Sequence, residues 1–339
     1  MTRMEELKRT AARRRLDDIM VFGEANIRAL TGIDCDSVCL TAEAVYTDFR
    51  YAAMIRRTVP DFKVRDIRRL KLKGRKIGYE SSMPHGRFLR LQKSMPQAEF
   101  VDIEDDIRTL RMVKTPEEQE AIRAAERLNV EIWNEAKGIF RAGMTEREMA
   151  RAVKRLMIER GDGEAFETIV CVGANAAECH HRPDDTVWSG REPVLVDMGV
   201  KLGGVCSDLT RNIVPKSVRG LYRKVYALVE AANRAAIAAV RPGMTAAKLD
   251  KVARDIIEKG GFGKCFGHSL GHGVGYEIHE SPTVSRRGKT VLEPGMVFTV
   301  EPGIYLEGKF GCRIEDMIAV NPDGSIYNFT KSNKDLIEI

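Results

Sequence analysis

Residues 194–199 (Val-Leu-Val-Asp-Met-Gly) and 206–211 (Cys-Ser-Asp-Leu-Thr-Arg) each alternate apolar and polar side chains. A period of two marks a half-buried strand, and Lys201-Leu202-Gly203-Gly204 between the runs carries the glycines of a tight reversal. The pattern predicts one β-hairpin. A turn centred on Leu202-Gly203 sets Asp197 directly opposite Asp208; one centred on Gly203-Gly204 makes them diagonal neighbours on the same face. Like charges facing each other across strands are destabilising. Either the face is solvated and the two acids are unrelated, or a cation compensates them. Carboxylates that can each bridge suit a pair of hard divalent ions.

Nearer the start of the chain, a helix fits 4–16 and an apolar strand 18–22. Further strands fit 37–40, 44–48, 63–67 and 76–79, with helices at 51–57 and 86–93. Short strands alternating with helices predict an α/β domain over residues 1–112. Thr115-Pro116-Glu117-Glu118 then supplies a cap, a proline at the first helical position and acids in the first turn. A second domain, 113–339, begins there. It repeats itself: Arg141-Ala142-Gly143-Met144-Thr145 recurs as Arg241-Pro242-Gly243-Met244-Thr245. Each copy follows a long alanine-rich amphipathic helix (117–140 and 221–240) and leads into another that stops at Gly161 or Gly261. Two related halves folded on each other would enclose a cleft.

Composition narrows the classes. Of the 339 residues 43% are hydrophobic, enough for a sizeable core. Much of the net charge of +6 lies in the first hundred residues, at Arg13-Arg14-Arg15 and between Arg65 and Lys76. Acids are interspersed and no aromatic rings alternate with the bases, which argues for solvated faces and against a nucleic-acid partner. No apolar run approaches a membrane span and the first residues lack the apolar core of a signal peptide, so no membrane is expected and the expected location is cytoplasmic. Seven cysteines, an odd number without CxxC spacing, predict reduced thiols.

The candidate chemistry gathers in the second domain. Five of the six histidines fall in two windows, His180-His181 and then His268, His272 and His279. The second window also holds Gly267, Gly271, Gly273 and Gly275, which let backbone approach closely. Glu301 ends the strand pattern 297–300 and is followed by Pro302-Gly303, while Glu315 interrupts another strand pattern at 313–318. With Asp197, Asp208 and His272 these acids make four carboxylates and one imidazole. That donor set suits manganese, cobalt or iron-type divalent ions and is acceptable to zinc.

On these residues the chain resembles the proline-specific metallopeptidases of the pita-bread fold, the Xaa-Pro aminopeptidases and Xaa-Pro dipeptidases. The resemblance runs almost end to end. It includes Asn26-Ile27-Arg28-Ala29-Leu30-Thr31-Gly32 and Thr47-Asp48-Phe49-Arg50-Tyr51, then the Asp197/Asp208 hairpin, Gly271-His272-Gly273-Val274-Gly275, Glu301-Pro302-Gly303 and Arg313-Ile314-Glu315-Asp316. It implies a creatinase-like α/β N-terminal domain and an α+β pita-bread (creatinase/aminopeptidase-like) catalytic domain with an internal pseudo-twofold repeat. It also implies two divalent metal ions, manganese first, with cobalt or zinc as alternatives. Asp197 would hold one ion, His272 and Glu301 the other, and Asp208 and Glu315 would bridge.

By the same resemblance Glu301 also carries a proton, His180 and His279 hold the substrate carbonyl, and Arg313 orients a ligand carboxylate. Roles for His181 and His268 stay open. The implied partners are a proline-containing peptide and a second copy of the chain in a homodimer. Thr283 stands where dipeptide-preferring relatives carry an arginine for the free carboxylate of proline, and an opposed cation is what such a carboxylate needs. The expectation is therefore an Xaa-Pro aminopeptidase, with the dipeptidase as alternative should Arg286 or Arg287 substitute. Phe166 is a candidate wall of the proline pocket. A non-catalytic binding protein of the same fold is a remoter alternative, disfavoured by the presence of all five ligand positions.

Overall fold

Threonines placed ahead of acidic residues start three of the helices. Thr2, Thr115 and Thr145 each accept a bond from the backbone amide three residues on, and the carboxylates of Glu5, Glu118 and Glu148 in turn accept from the threonine amides. Amides that a helix start leaves orphaned are thereby satisfied. The computed structural model describes residues 2–334 and the short strand at 337–338. They divide into two units, Met1–Arg111 and Met112–Ile339.

In the first unit, helices α1 (Arg3–Arg13), α2 (Glu24–Thr31), α3 (Phe49–Thr58), α4 (His85–Ser94) and α5 (Glu104–Met112) accompany six strands. These are β1 (Asp18–Val21), β2 (Val38–Thr41), β3 (Ala44–Thr47), β4 (Lys63–Asp66), β5 (Lys76–Tyr79) and β6 (Glu99–Asp102). They form one mixed sheet in the order β4-β3-β2-β1-β5-β6, with Ile19, Val21, Leu40 and Val45 in its core. The α/β alternation is the one expected, with α2, β6 and α5 added. β6 is an edge strand with Glu99 and Asp102 exposed, so it carries little of the alternation that reveals a strand in sequence.

The second unit is built twice over. In the first half α6 (Pro116–Ile139) and α7 (Glu146–Arg160) are followed by a two-residue β7 (Gly163–Glu164). The helices bury Trp133, Val153 and Met157 against β8 (Ile169–Val172), β9 (Val194–Met198) and, beyond β10 (Val200–Leu202) and β11 (Val205–Cys206), β12 (Leu209–Val214). In the second half α8 (Leu221–Ala239) and α9 (Ala246–Lys259) bury Tyr226, Leu249 and Ile257 against a sheet ordered β14-β13-β15-β18-β19. Those strands are β13 (Gly271–Gly273), β14 (Glu280–Val284), β15 (Val297–Val300), β18 (Asp316–Val320) and β19 (Ile326–Asn328); β16 (Gly303–Leu306) and β17 (Phe310–Arg313) pair with each other between β15 and β18.

The repeat persists at the level of single bonds. Gly143 N donates to Trp188 O and Gly243 N to Leu292 O, both at 2.8 Å, and Thr145 and Thr245 bridge to Val187 and Val291. Gly143 and Gly243 have φ of 94° and 82°, backbone that side-chain-bearing residues rarely adopt, which is why both copies of the motif keep glycine. Buried Asn129 on α6 donates to Met198 O at 3.0 Å, and buried Asn233 on α8 donates to Val300 O at 2.8 Å. Each pins a strand end beside a candidate ligand.

The hairpin takes the second of its two registers. Thr210 pairs with Asp197, Lys201 with Cys206 and Leu202 with Val205, so the turn is Gly203-Gly204, with φ of 58° and 72°. Asp197 and Asp208 are diagonal neighbours rather than directly opposed. Centring the turn on Leu202-Gly203 would force positive φ on a leucine, whereas two glycines accept it in the tight turn that strand twist favours.

Candidate metal centre

Each candidate ligand sits where a strand ends or is interrupted. Asp197 is the penultimate residue of β9, Asp208 precedes β12, Glu301 follows β15, and Glu315 lies between β17 and β18. His272 is central in β13. Glycines let these segments close up: a Cβ on Gly199 would lie 2.2 Å from Ser207 O and 2.6 Å from the Phe166 ring. Cβ atoms on Gly271 and Gly273 would lie 1.9 Å from Thr299 O and 2.2 Å from Ser281 O. Any larger residue would push the strands beside His272 apart.

The side chains converge. Ligand atoms of Asp208, His272 and Glu315 all lie within 4.8 Å of one another. His272 Nε2 is 3.5 Å from Asp208 Oδ2 and 3.4 Å from Glu301 Oε1. His272 Nδ1 donates to Gly273 O at 3.1 Å, leaving the Nε2 lone pair toward the acids, the arrangement of a metal-binding imidazole. Arg313, 3% exposed, donates to Asp197 Oδ2 at 2.6 Å and to Thr210 Oγ1 at 3.1 Å, and Thr210 donates to Glu315 Oε2 at 2.6 Å. One oxygen of Asp197 and one of Glu315 are thus held. The others, Asp197 Oδ1 and Glu315 Oε1, are buried without any hydrogen-bond partner.

Electrostatics make the same point. Burial pushes the Asp208 carboxyl well above its ordinary range, and the charges of Glu315, Asp197 and Glu301 add to this. Glu315 is raised well above its range by burial and then by Glu301 and Asp197, and burial pushes Glu301 up to about 8. Buried like charges and orphaned carboxylate oxygens cost free energy unless something neutralises them. Divalent cations fit that set: oxygen-rich, with one imidazole, and with free lone pairs aimed into the site. Asp197, Asp208, His272, Glu301 and Glu315 are the residues that would hold them.

Two histidines lie at the exposed side of this cluster. The His279 ring is 4.3 Å from that of His272, centroid to centroid. Its pKa is lowered by burial and then by the charge of His180, so His180 and His279 sit within electrostatic reach of each other. His268 Nδ1 donates to Ser269 O (2.7 Å) and Nε2 accepts from Tyr305 Oη (2.8 Å), and burial lowers its pKa to about 3. It therefore stays neutral, packed on Tyr305, which also accepts from Arg313 at 2.8 Å. His181 turns to a buried glutamate on α7. Phe166 packs on Gly199 beside the aspartate pair.

Sequence reasoning passed over Thr210, Tyr305 and Glu126. Thr210 shares the face of Asp208 by period two, a signal that was available. Glu126 carried none: it is a fully buried acid on α6, pushed up to about 8 by burial, that accepts from the Asp208 amide at 3.2 Å and from Thr330. Nothing in an amphipathic helix pattern marks one glutamate as facing inward.

The family model for metallopeptidase family M24 matches residues 120–322, and that for the creatinase/prolidase N-terminal domain matches residues 3–113. An Xaa-Pro dipeptidase of Pyrococcus horikoshii is 38% identical over 262 residues, 77% of this chain and 74% of its own. The crystal structure of a prolidase from Pyrococcus horikoshii superposes with a TM-score of 0.93 at 31% identity over 99% of both chains. That of an X-Pro aminopeptidase from Thermotoga maritima gives 0.86 at 29% identity, over 97% of this chain and all of that one. The two-unit architecture described above is thus the pita-bread arrangement behind a creatinase-type N-terminal domain.

Proposed function

The chain belongs to metallopeptidase family M24, and from that premise we propose that it hydrolyses Xaa-Pro dipeptides as a two-metal prolidase. What carries this reading is the likeness to an Xaa-Pro dipeptidase over 77% of the chain at 38% identity and to a prolidase structure over 99% of it. These relatives favour the dipeptidase over the aminopeptidase that Thr283 alone suggested. That inference leaned on one missing arginine, whereas the relatives reflect the whole catalytic unit.

Asp197, Asp208, His272, Glu301 and Glu315 would hold the two ions, and manganese suits this oxygen-rich set. Bound there, such ions would supply a more acidic water as nucleophile and Lewis acidity toward the scissile carbonyl. The protein's own residues do the rest. Glu301, whose Oε1 lies 3.4 Å from His272 Nε2, takes the proton at its carboxylate and passes it to the leaving proline nitrogen. His180 and His279 hold the carbonyl oxygen as it gains charge. Arg313 fixes the orientation of Asp197 through the 2.6 Å bond.

One observation favours the aminopeptidase as a second reading. Thr283 pairs across the strands with His272, so both side chains share a face, and at that place a threonine offers no cation to a free proline carboxylate. The test is a comparison of Gly-Pro and Ala-Pro with Ala-Pro-Pro on manganese-loaded protein. The proposal expects kcat/KM to be higher on the dipeptides. Cleavage of the tripeptide alone would transfer the assignment to the aminopeptidase, and no cleavage of either would remove both.

A further inference from the structure

The segment that carries His180 takes four of its ties from one carboxylate, beside a bond from Arg313 Nη1 to Cys179 O at 3.4 Å. Glu146, the first residue of α7, has a fully buried side chain, and its two oxygens engage four groups. Oε1 accepts from Val172 N at 2.6 Å and Asn175 Nδ2 at 3.0 Å; Oε2 accepts from Asp184 N at 3.1 Å and faces His181 Nε2 at 2.9 Å. These partners span the excursion from the end of β8 to residue 184, so the Cys179-His180 step is held at both ends. His181 is the tie next to His180 itself. The related half fastens its histidine-bearing loop with a buried ion pair: Arg254 grips Asp250 at 2.7 and 2.8 Å and donates to Phe266 O and His268 O at 2.9 Å.

We propose that His181, through its bond to buried Glu146, is a positioning residue that sets His180 over the metal centre. The proposal rests on the reading of His180 as a substrate contact. Three acids face the imidazole: Glu146 from α7, and Glu178 (3.5 Å) and Asp184 (3.9 Å) from its own loop. The neighbouring cations are engaged elsewhere, Arg182 with Glu167 and Arg147 with Asp185. Burial by itself lowers the His181 pKa, but the bond to Glu146 and the surrounding negative charge outweigh it and leave the value raised. A raised value means the tie is strongest with the ring protonated and weakens as pH climbs through that value. Glu146, His181 and Asp184 lie close enough to chelate a cation, yet only by surrendering the bonds just described.

The experiment measures kcat and KM on Ala-Pro from pH 6 to 9, with bound metal, for the manganese-loaded wild type, His181→Gln, Glu146→Gln and His180→Ala. Loss of a charge-assisted bond should lower kcat/KM by on the order of tenfold at pH 6 in His181→Gln, with metal content unchanged. The ratio of wild type to His181→Gln should shrink toward unity at high pH, because pH effects of the metal centre cancel in it and only the charge of His181 remains. Glu146→Gln should show the same pattern if it folds; His181→Gln, at a less buried position, carries the test if it does not. A ratio independent of pH, unchanged kcat/KM or lost metal in His181→Gln would overturn the proposal. Wild-type activity in His180→Ala would remove its premise, whereas a defective His180→Ala beside a normal His181→Gln would sink the tie alone.

Discussion

Replacing Asp208 by asparagine should separate metal binding from folding. In the metal-free protein Asp208 is 4% exposed and lies with Glu315 inside a cluster spanning 4.8 Å. Two full charges at about that separation repel by roughly 3.5 kcal/mol at an effective dielectric near 20, and partial protonation reduces this. Removing one charge should therefore stabilise the metal-free protein by about 1–3 kcal/mol. Metal acts in the opposite sense. Ions at a thousandfold excess over Kd stabilise the wild type by about 4 kcal/mol. For a unit of this size each kcal/mol moves Tm by about 2–4 °C, so manganese should raise the wild-type Tm by about 8–16 °C. The variant should start higher when stripped and gain only a small fraction of that shift. Calorimetry on chelator-stripped and manganese-loaded samples, with elemental analysis of bound metal, reads both quantities. A variant that binds two ions per chain and shows the full wild-type shift would refute Asp208 as a ligand; a stripped variant less stable than wild type would refute the repulsion argument.

Metal-free protein should lose stability as pH rises from the ordinary carboxyl range toward 8. Glu301 and Glu126 are each pushed up to about 8 by burial, so the folded chain binds more protons than the unfolded one across that window; urea midpoints at pH 6 and 8 check the sign, which metal should reverse. Arg313→Lys keeps a charge but loses the fork that reaches Asp197, Thr210 and Tyr305 together, so metal affinity should fall by roughly 10–100-fold in a competition titration. His279→Ala should lower turnover by roughly a hundredfold or more while both ions stay bound; loss of metal would mean that His279 is a ligand. Thr283→Arg, on the strand facing His272, should shift kcat/KM toward Ala-Pro over Ala-Pro-Pro by on the order of tenfold, and an unchanged preference would place the carboxylate elsewhere.

The site was more legible than its supports. Asp197, Asp208, His272, Glu301 and Glu315 could be picked out because each interrupts an apolar strand pattern or stands among glycines, where packing offers no reason for a charged group. Glu126, which accepts from the Asp208 amide, and Glu146, which accepts from the amides of Val172 and Asp184, were invisible, since on a helix every third or fourth residue turns inward and nothing local says which acid will find partners there. The hairpin shows the same limit in register. Both turns were compatible with the alternation of its strands, and only the positive φ at Gly203 and Gly204 selects between them.

The amino-acid order alone therefore determined the periodicities, the helix starts, the duplication around Gly143 and Gly243 and the donor types available for metal. These are local properties, set by backbone sterics and side-chain chemistry within a few residues. Convergence was decided only in three dimensions. His272 and Glu315 are 43 positions apart, and they meet because β13, β15 and β18 lie side by side in one sheet. Which oxygen of Asp197 is held by Arg313 and which is left free, and which way His181 turns, depend on atoms contributed by distant segments.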